Sequence, residues 1–238
     1  MKQSKWLFIG LALVSIGVGI MTTVFLSGYD ITRPNLGSGT LPVQSASYPV
    51  VILGDSLAQG VGATTSTNSA AYLIYSYIKA SHPKATLYNF GESGADVPQV
   101  LANEIPRLNT LHPKQILLIV GTNDIIKQNS PNNFTQAWPE LIKTLVAFNC
   151  PTIVTNIPQF SATPAIPANL KEAAETQTKD YNAFISTNLV SYPAIRAFDF
   201  YSVSSQQLNN HDNLLSDDKF HPNDAGYALL AQELIKSL

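Results

Sequence analysis

The sequence predicts an α/β fold: a three-layer α/β/α sandwich with a five-stranded, mainly parallel sheet, preceded by an N-terminal transmembrane helix. Three observations support this prediction. From residue 48 onward, short apolar runs rich in β-branched residues alternate with amphipathic stretches, which is the pattern of βαβ units. A long uncharged run precedes them. The 238 residues, 45% of them hydrophobic and 13% charged, can bury one sizeable core, which excludes disorder over most of the chain.

The uncharged run is the predicted membrane segment. No charged residue lies between Lys5 and Asp30. A helix of about 21 residues from this run is roughly 32 Å long, enough to cross a bilayer core. We therefore predict a cytoplasmic segment over 1–5 and a transmembrane signal anchor over 6–27. Because Lys2 and Lys5 precede the anchor, the positive-inside rule places the rest of the chain outside the cytoplasm. The alternative is a cleaved signal that yields a secreted protein.

Composition narrows the expected partners of the remaining chain. Residues 28–47 mix Gly, Ser, Thr and Pro without periodicity, so we expect a flexible linker before a folded domain over 48–238. The formal net charge of −2 offers no basic field for phosphate neutralisation, so nucleic acid is not an expected partner. The single cysteine, Cys150, excludes an intrachain disulfide and a multi-cysteine zinc site.

Within the folded domain, strands and helices are expected to alternate. Strands are predicted at 49–53, 86–90, 115–120, 152–156 and 195–200. Helices are predicted at 68–80, 97–110, 133–148, 170–190 and 222–237. Two of these helices carry a clear apolar face, which is expected to pack against the sheet. The faces consist of Phe134, Trp138, Leu141, Ile142 and Leu145 in one helix, and of Tyr227, Leu230, Ala231, Leu234 and Leu238 in the last.

Polar residues cluster directly after the first three predicted strands and before the last helix. In open parallel sheets, ligands bind outside the carboxyl ends of the strands, so these clusters are the candidates for chemistry. The first three blocks are Gly54-Asp55-Ser56-Leu57, Gly91-Glu92-Ser93-Gly94 and Gly121-Thr122-Asn123-Asp124. The fourth is Asp218-Lys219-Phe220-His221-Pro222.

In this chain order, the four blocks resemble the SGNH (GDSL) hydrolases, a family of esterases, lipases and thioesterases, and the resemblance extends over about 48–238. It implies the SGNH hydrolase-like, flavodoxin-like form of the α/β/α sandwich. It also implies that Ser56 is the nucleophile, His221 the base and Asp218 the acid partner of the base. Gly94 and Asn123 would complete the oxyanion hole together with Ser56. Gly91 is the competing choice for the oxyanion glycine. Thr122 departs from the pattern, since many members have a second glycine there.

The residue types favour the same chemistry without the family. A serine hydroxyl is a weak nucleophile and needs a base that a third group orients. Asp218 and His221, three residues apart in one loop, can lie side by side with the second ring nitrogen facing Ser56. Backbone N–H groups of Ser56 and Gly94 and the Asn123 amide would then bind the oxyanion. Each block alone is also typical of an ordinary turn, so the prediction depends on their combination.

Other polar residues are given structural or surface roles. Asp55 and Asp124 are expected to bond loop backbone, and His82 and His112 to lie on surface loops. His211 is the only rival base. No H-E-x-x-H or comparable spacing supports a metal site, and we expect neither metal nor cofactor. The absence of G-x-S-x-G argues against the nucleophile elbow of α/β-hydrolases, and the absence of G-x-x-x-x-G-K-[ST] leaves phosphoryl transfer without support.

The resulting hypothesis is a membrane-tethered, extracytoplasmic serine ester hydrolase acting on a small-molecule or envelope-associated ester. The alternative is a non-catalytic module that binds carbohydrate or acyl groups on the same fold. Pocket walls are expected from 159–170, with apolar Pro164, Ile166 and Pro167, and from 201–217, where Asn209, Asn210 and Asn213 could bond sugars. The acyl chain length, the choice between lipid, thioester and acetylated glycan, and the oligomeric state stay open.

Overall fold

A five-stranded parallel sheet forms the centre of the computed structural model, which describes residues 48–128, 130–208 and 211–238. The strands are β1 (Tyr48–Gly54), β2 (Ala85–Asn89), β3 (Gln115–Ile119), β4 (Thr152–Thr155) and β5 (Ile195–Phe198). Their order is β2-β1-β3-β4-β5, and every neighbouring pair is parallel. All five predicted strands are confirmed. The order of winding reverses between β1 and β3, and such a switch point opens a crevice at the carboxyl ends of the two strands.

Helices cover both faces of this sheet and complete the predicted three layers. They are α1 (Ser56–Gln59), α2 (Ala70–Ser81), α3 (Val97–Gln99), α4 (Thr122–Ile126), α5 (Pro131–Ala147), α6 (Ala168–Leu189), α7 (Phe200–Val203) and α8 (Asp224–Ile235). Helices α2 and α8 pack together on one face, where Val50 and Ile52 of β1 join their core. Val51 and Leu53 point the other way along the strand and are equally buried. On that second face, helix α5 contacts both α3 and α6.

The predicted apolar face of α5 is confirmed. All five of its members are buried: Phe134, Trp138, Leu141, Ile142 and Leu145. The ring of Phe134 stacks on that of Tyr181 of α6 with centroids 4.2 Å apart. Aromatic pairs of this kind add to the stabilisation that burial provides.

The helix predicted over 97–110 is confirmed in its bounds, but it is not one regular α-helix. The segment contains three α-helical residues in α3, then a π-helical turn (Val100–Glu104) and a 3₁₀ turn (Ile105–Thr110). Pro106 explains the break, because proline has no N–H to continue the ladder and its ring clashes with the carbonyl four residues earlier. The ladder widens instead, and the Ile105 N–H donates to the Val100 carbonyl. This turn leaves the Glu104 side chain almost fully buried, 1% exposed.

The last helix begins at Asp224, two residues later than predicted. The Asn223 side chain accepts from the Gly226 N–H at 3.1 Å and caps it. Pro222 instead forms an antiparallel bridge with Leu215, which closes a loop over 215–222. Tyr227, Leu230, Ala231 and Leu234 are buried as predicted, but Leu238 lies beyond the helix and is 38% exposed.

The predicted membrane anchor over 6–27 and the linker over 28–47 lie outside the described residues and stay predictions. Among residues 48–128, 130–208 and 211–238, no helix combines the length and apolar character that a bilayer span needs.

Candidate active site

The first polar block forms a tight turn from β1 into α1. Gly54 has a φ of +130°, and a Cβ there would lie 1.8 Å from the Ile119 carbonyl oxygen of β3, so only glycine fits. The next residue caps α1, because Asp55 Oδ1 accepts from the Leu57 N–H at 2.9 Å. Ser56 is therefore the first residue of a helix held against the switch point of the sheet.

Three side chains predicted from the sequence meet at this turn. Ser56 Oγ lies 2.8 Å from His221 Nε2, and His221 Nδ1 lies 2.6 Å from Asp218 Oδ2. The His221 side chain is fully buried, and Ser56 is 7% exposed. The rival base His211 is exposed at the start of a separate 3₁₀ turn, and the place beside the serine hydroxyl belongs to His221.

Asp218 has a different task for each of its carboxylate oxygens. Oδ1 accepts from Ser216 Oγ at 2.7 Å and from the N–H groups of Phe220 and His221 at 2.9 Å each, which shapes the loop. Oδ2 holds the imidazole. Burial alone raises the pKa of Asp218, but the hydrogen bonds and charge of His221 and the loop N–H groups hold it well below its usual range. The group is therefore an ionised acceptor at neutral pH.

Each of the three predicted oxyanion donors has an N–H group available for a ligand. Within the described part of the chain, the backbone N–H groups of Ser56 and Gly94 make no hydrogen bond. One Asn123 side-chain N–H donates to the Ala95 carbonyl at 3.0 Å, which leaves the second N–H for a ligand. Gly94 has a φ of +84°, and no atom lies within 4 Å of the position that a Cβ would occupy there.

Gly91 is a poorer donor than Gly94. Its N–H already donates to Asn89 Oδ1 at 3.0 Å. Position 91 also has no room for a side chain, because a Cβ there would lie 2.7 Å from the Gln59 backbone nitrogen. Of the two candidates, the geometry therefore favours Gly94.

Asp55 and Asp124 occupy the backbone-bonding roles expected of them. Asp124 accepts from the Val97 N–H, at 3.1 Å to one oxygen and 3.3 Å to the other, and so ties α4 to α3. Burial raises the pKa of each carboxyl to about 7, against the opposing effect of these backbone hydrogen bonds.

Glu104 is a third buried carboxyl at the site, and the sequence reasoning missed it. Glu104 Oε2 accepts from the Gly54 N–H at 2.8 Å. Burial raises the pKa of Glu104 to about 8, and the nearby charge of Asp55 adds to the effect. The sequence feature that indicates an irregular helix in this segment is Pro106, which interrupts the helix predicted over 97–110.

Residues 52–229 match the family model of the GDSL-like Lipase/Acylhydrolase family. This chain belongs to that family. It is accordingly a hydrolase of carboxylic esters. No curated protein sequence is significantly similar to it.

Solved structures of several esterases have a similar fold. Esterase EstA from Pseudoalteromonas sp., inhibited by monoethylphosphonate, is 21% identical with a TM-score of 0.64 over 79% of this chain and 95% of that one. A catalytic mutant of Axe2, an acetylxylan esterase from Geobacillus stearothermophilus, is 15% identical with a TM-score of 0.64 over 80% and 93%. The family 3 carbohydrate esterase of Clostridium thermocellum is 19% identical with a TM-score of 0.62 over 80% and 94%.

The two segments predicted as pocket walls both border a small cavity of the GDSL-like domain. Gln159, Phe160 and Thr163 come from the first segment, and Ser204, Leu208 and Leu215 from the second. The cavity is not lined by the apolar residues predicted for its wall, which are Pro164, Ile166 and Pro167. Ile166 belongs instead to the buried core.

Asn213, one of the asparagines predicted to bond sugars, does not line this cavity. Asn209 and Asn210 lie outside the described residues. Asn213 is exposed, and its backbone carbonyl accepts from Asn223 Nδ2 at 2.7 Å.

The remaining histidines lie away from this edge of the sheet. His82 is exposed and stacks on Tyr48 at the start of β1, and His112 is exposed just before β3. In the described ranges, no group of three or more His, Cys, Asp or Glu side chains is arranged to hold a metal ion.

Proposed function

We propose that this GDSL-like domain hydrolyses carboxylic esters through Ser56 as nucleophile, His221 as base and Asp218 as the group that orients the base. The observation that carries the proposal is the chain of short contacts from Ser56 Oγ through both His221 ring nitrogens to Asp218 Oδ2. Serine activation needs this arrangement of nucleophile, base and orienting acid.

The protonation states follow from what each group can donate. An ionised carboxylate can only accept, so the hydrogen between His221 and Asp218 belongs to Nδ1. Nε2 is then the acceptor that takes the proton of Ser56 as Oγ attacks the ester carbonyl carbon. The imidazolium that forms is stabilised by Asp218, whose charge persists because its pKa is low.

The attack forms a C–O bond to Ser56 and moves the carbonyl electron pair onto oxygen. The N–H groups of Ser56 and Gly94 and the free N–H of Asn123 would stabilise this oxyanion, and one such donor typically contributes about 2.7 to 4 kcal/mol. Collapse breaks the bond to the alcohol, which leaves with the proton from His221. Water, deprotonated by the same Nε2, then hydrolyses the acyl-serine and releases a carboxylic acid.

Covalent labelling tests this proposal directly. EstA, a similar structure, was solved inhibited by a phosphonate, which supports a fluorophosphonate as the probe. Wild type should be labelled and should turn over p-nitrophenyl acetate. Ser56→Ala should lose the label and hydrolyse at least about 10³-fold more slowly with an unchanged fold. Ser191→Ala, which alters an exposed serine just beyond the C-terminal end of α6, should behave like wild type.

The same experiment addresses the non-catalytic binding module. Such a protein would bind an acyl or carbohydrate ligand without a burst, turnover or label. Ser56→Ala that retains more than half of wild-type turnover would overturn the mechanism.

We propose further that residues 6–27 anchor the domain to the outer face of a membrane. The uncharged run and the preceding lysines support this placement. Full-length protein should sediment with membranes, and protease added to cells stripped of any wall should release an active fragment by cutting within 28–47. Recovery only of a soluble chain that starts near residue 28 would show a cleaved signal instead.

A further inference from the structure

Sequence neighbours of three predicted site residues line a small, mainly apolar cavity. Leu57 follows the nucleophile, Thr122 precedes Asn123, and Phe220 and Pro222 flank His221, and all four line it. Phe160 closes the far wall and meets the ring of Phe220 edge to face, with centroids 6.2 Å apart. The residues next in sequence to the predicted nucleophile, oxyanion asparagine and base therefore all contribute to the cavity wall.

The cavity is small. Its volume is about 30 Å³. One water-sized group needs about 10 to 15 Å³ by this measure, so the cavity has room for about two or three water-sized groups. Thr122 narrows it, and the buried Oγ1 of this residue has no hydrogen-bond partner within the described part of the chain.

The walls are held in place by hydrogen bonds behind them. The Gln159 N–H donates to Ser204 Oγ at 2.8 Å, which joins the two wall segments. Glu175 of α6 accepts from Ser161 Oγ at 2.5 Å and from the Tyr201 hydroxyl. A wall fixed in this way cannot widen easily to admit a longer chain.

The geometry of the reaction assigns the cavity to one part of the ester. In the tetrahedral intermediate, the oxyanion must face the N–H donors of Ser56, Gly94 and Asn123, and the leaving oxygen must face His221 Nε2. The acyl group occupies the remaining direction. An apolar cavity stabilises a methyl or short alkyl group there, whereas a polar alcohol such as a sugar would lose its hydrogen bonds to water.

We propose that this cavity is the acyl pocket and that the enzyme hydrolyses esters of short acyl groups, from acetyl to butyryl, with the alcohol part directed to solvent. The inference depends on the function proposed for Ser56 and adds the substrate class. Phe160 and Thr122 limit the acyl chain length.

The test compares two ester series. One varies the acyl group of p-nitrophenyl esters from acetyl through butyryl to octanoyl, and the other keeps acetyl and varies the alcohol. For wild type, kcat/KM should fall at least about tenfold from butyryl to octanoyl, since one methylene in a fitted pocket is worth about 10-fold or more. Phe160→Ala should raise the octanoyl-to-acetyl ratio about tenfold and leave the alcohol series unchanged.

Two further variants make the result decisive. Thr122→Ala also enlarges the cavity, removes a hydroxyl that has no partner and is expected to fold, so it should raise the same ratio if Phe160→Ala fails to fold. Phe148→Ala is the matched control, because Phe148 lies at the end of α5 near the amino end of β4, and its ratio should equal that of wild type.

Each unfavourable result has a separate meaning. Faster hydrolysis of octanoyl than of acetyl esters by wild type would overturn the acyl pocket. So would folded variants whose acyl ratio is unchanged, or a change confined to the alcohol series. Absence of turnover with every ester, together with no labelling of Ser56, would overturn the proposed function itself.

Discussion

The carboxylate of Glu104 accepts a hydrogen bond of 2.8 Å from the backbone N–H of Gly54, two residues before the predicted nucleophile. The two residues are 50 positions apart in the sequence. Gly54 ends β1 with a positive φ that no other residue tolerates there, and Glu104 bonds its N–H from a π-helical turn. The orientation of the nucleophile turn therefore depends on a buried acid that takes no part in the proposed reaction.

Glu104→Gln should change how stability depends on pH. Burial, opposed by the Gly54 hydrogen bond, raises the pKa of Glu104 from 4.5 to about 8. Between these values the folded protein binds a proton that the unfolded chain releases, so the stabilisation is complete below about pH 4.5 and is lost as pH rises through 8. Glutamine keeps an acceptor for Gly54 without the charge.

Urea unfolding at pH 5 and pH 9 measures this effect. The free energy of unfolding of Glu104→Gln minus that of wild type should increase by at least about 1 kcal/mol from pH 5 to pH 9. Glu140→Gln, at an exposed position on α5, is the control and should show no such change. An equal pH dependence in wild type and Glu104→Gln would contradict the assignment of a buried proton to Glu104.

Asp218→Asn should separate the two tasks of this carboxylate. An asparagine oxygen can still accept from the loop N–H groups at the Oδ1 position, so the loop should persist and the melting temperature should change little. Its NH₂ would face His221 Nδ1 and favour the ring tautomer with the proton on Nε2, which cannot accept from Ser56. We expect kcat to fall by about 10³ to 10⁴.

The control for this variant is Asp217→Asn, which removes a neighbouring exposed charge and should keep kcat within about twofold of wild type. Steady-state kinetics measure kcat of both variants, and thermal melts measure their melting temperatures. A folded Asp218→Asn enzyme with more than a tenth of wild-type kcat would show that the imidazole does not need this carboxylate.

His221→Ala should reduce hydrolysis nearly as much as Ser56→Ala, because nucleophile and base act as a unit. His211→Ala should change the rate only a few-fold, since His211 is exposed and Ser56 Oγ is bonded to His221. Turnover of p-nitrophenyl acetate by both variants decides between them. An inactive His211→Ala protein beside an active His221→Ala protein would reverse the assignment of the base.

Asn123→Ala should lower kcat by about 10² to 10³ and change KM much less, because an oxyanion donor acts mainly as charge develops on the carbonyl oxygen. The amide is already oriented by its bond to the Ala95 carbonyl, so its second N–H needs no reorganisation. Separate values of kcat and KM test the role. A rise in KM alone would make Asn123 a substrate-binding group.

Much of the architecture is determined locally and could be predicted from the sequence. Runs such as Val50 to Leu53 are apolar throughout because both faces of a central parallel strand are buried, and the turn residues that follow mark the strand ends. The four polar blocks are likewise contiguous in the chain. The positions of these blocks, and the loop that holds Asp218 beside His221, could be predicted because they involve residues close together in the sequence.

Tertiary structure decided what depends on residues far apart in the chain. Ser56 and His221 are 165 positions apart, and only the strand order and the loop closed by Leu215 and Pro222 bring Oγ within 2.8 Å of Nε2. The close packing of Gly91 also involves a distant residue, because a Cβ there would lie 2.7 Å from the Gln59 backbone nitrogen.

Burial explains the other differences. Pro106 could mark a broken helix in the sequence, but the place of Glu104 beneath the nucleophile turn follows from how that segment packs on β1. Leu238 fits the apolar period of α8, yet the helix ends at Ile235 and Leu238 remains exposed. Periodicity and turn chemistry involve residues a few positions apart and can therefore be predicted from the sequence. Side-chain partners and cavity size depend instead on which distant segments pack together.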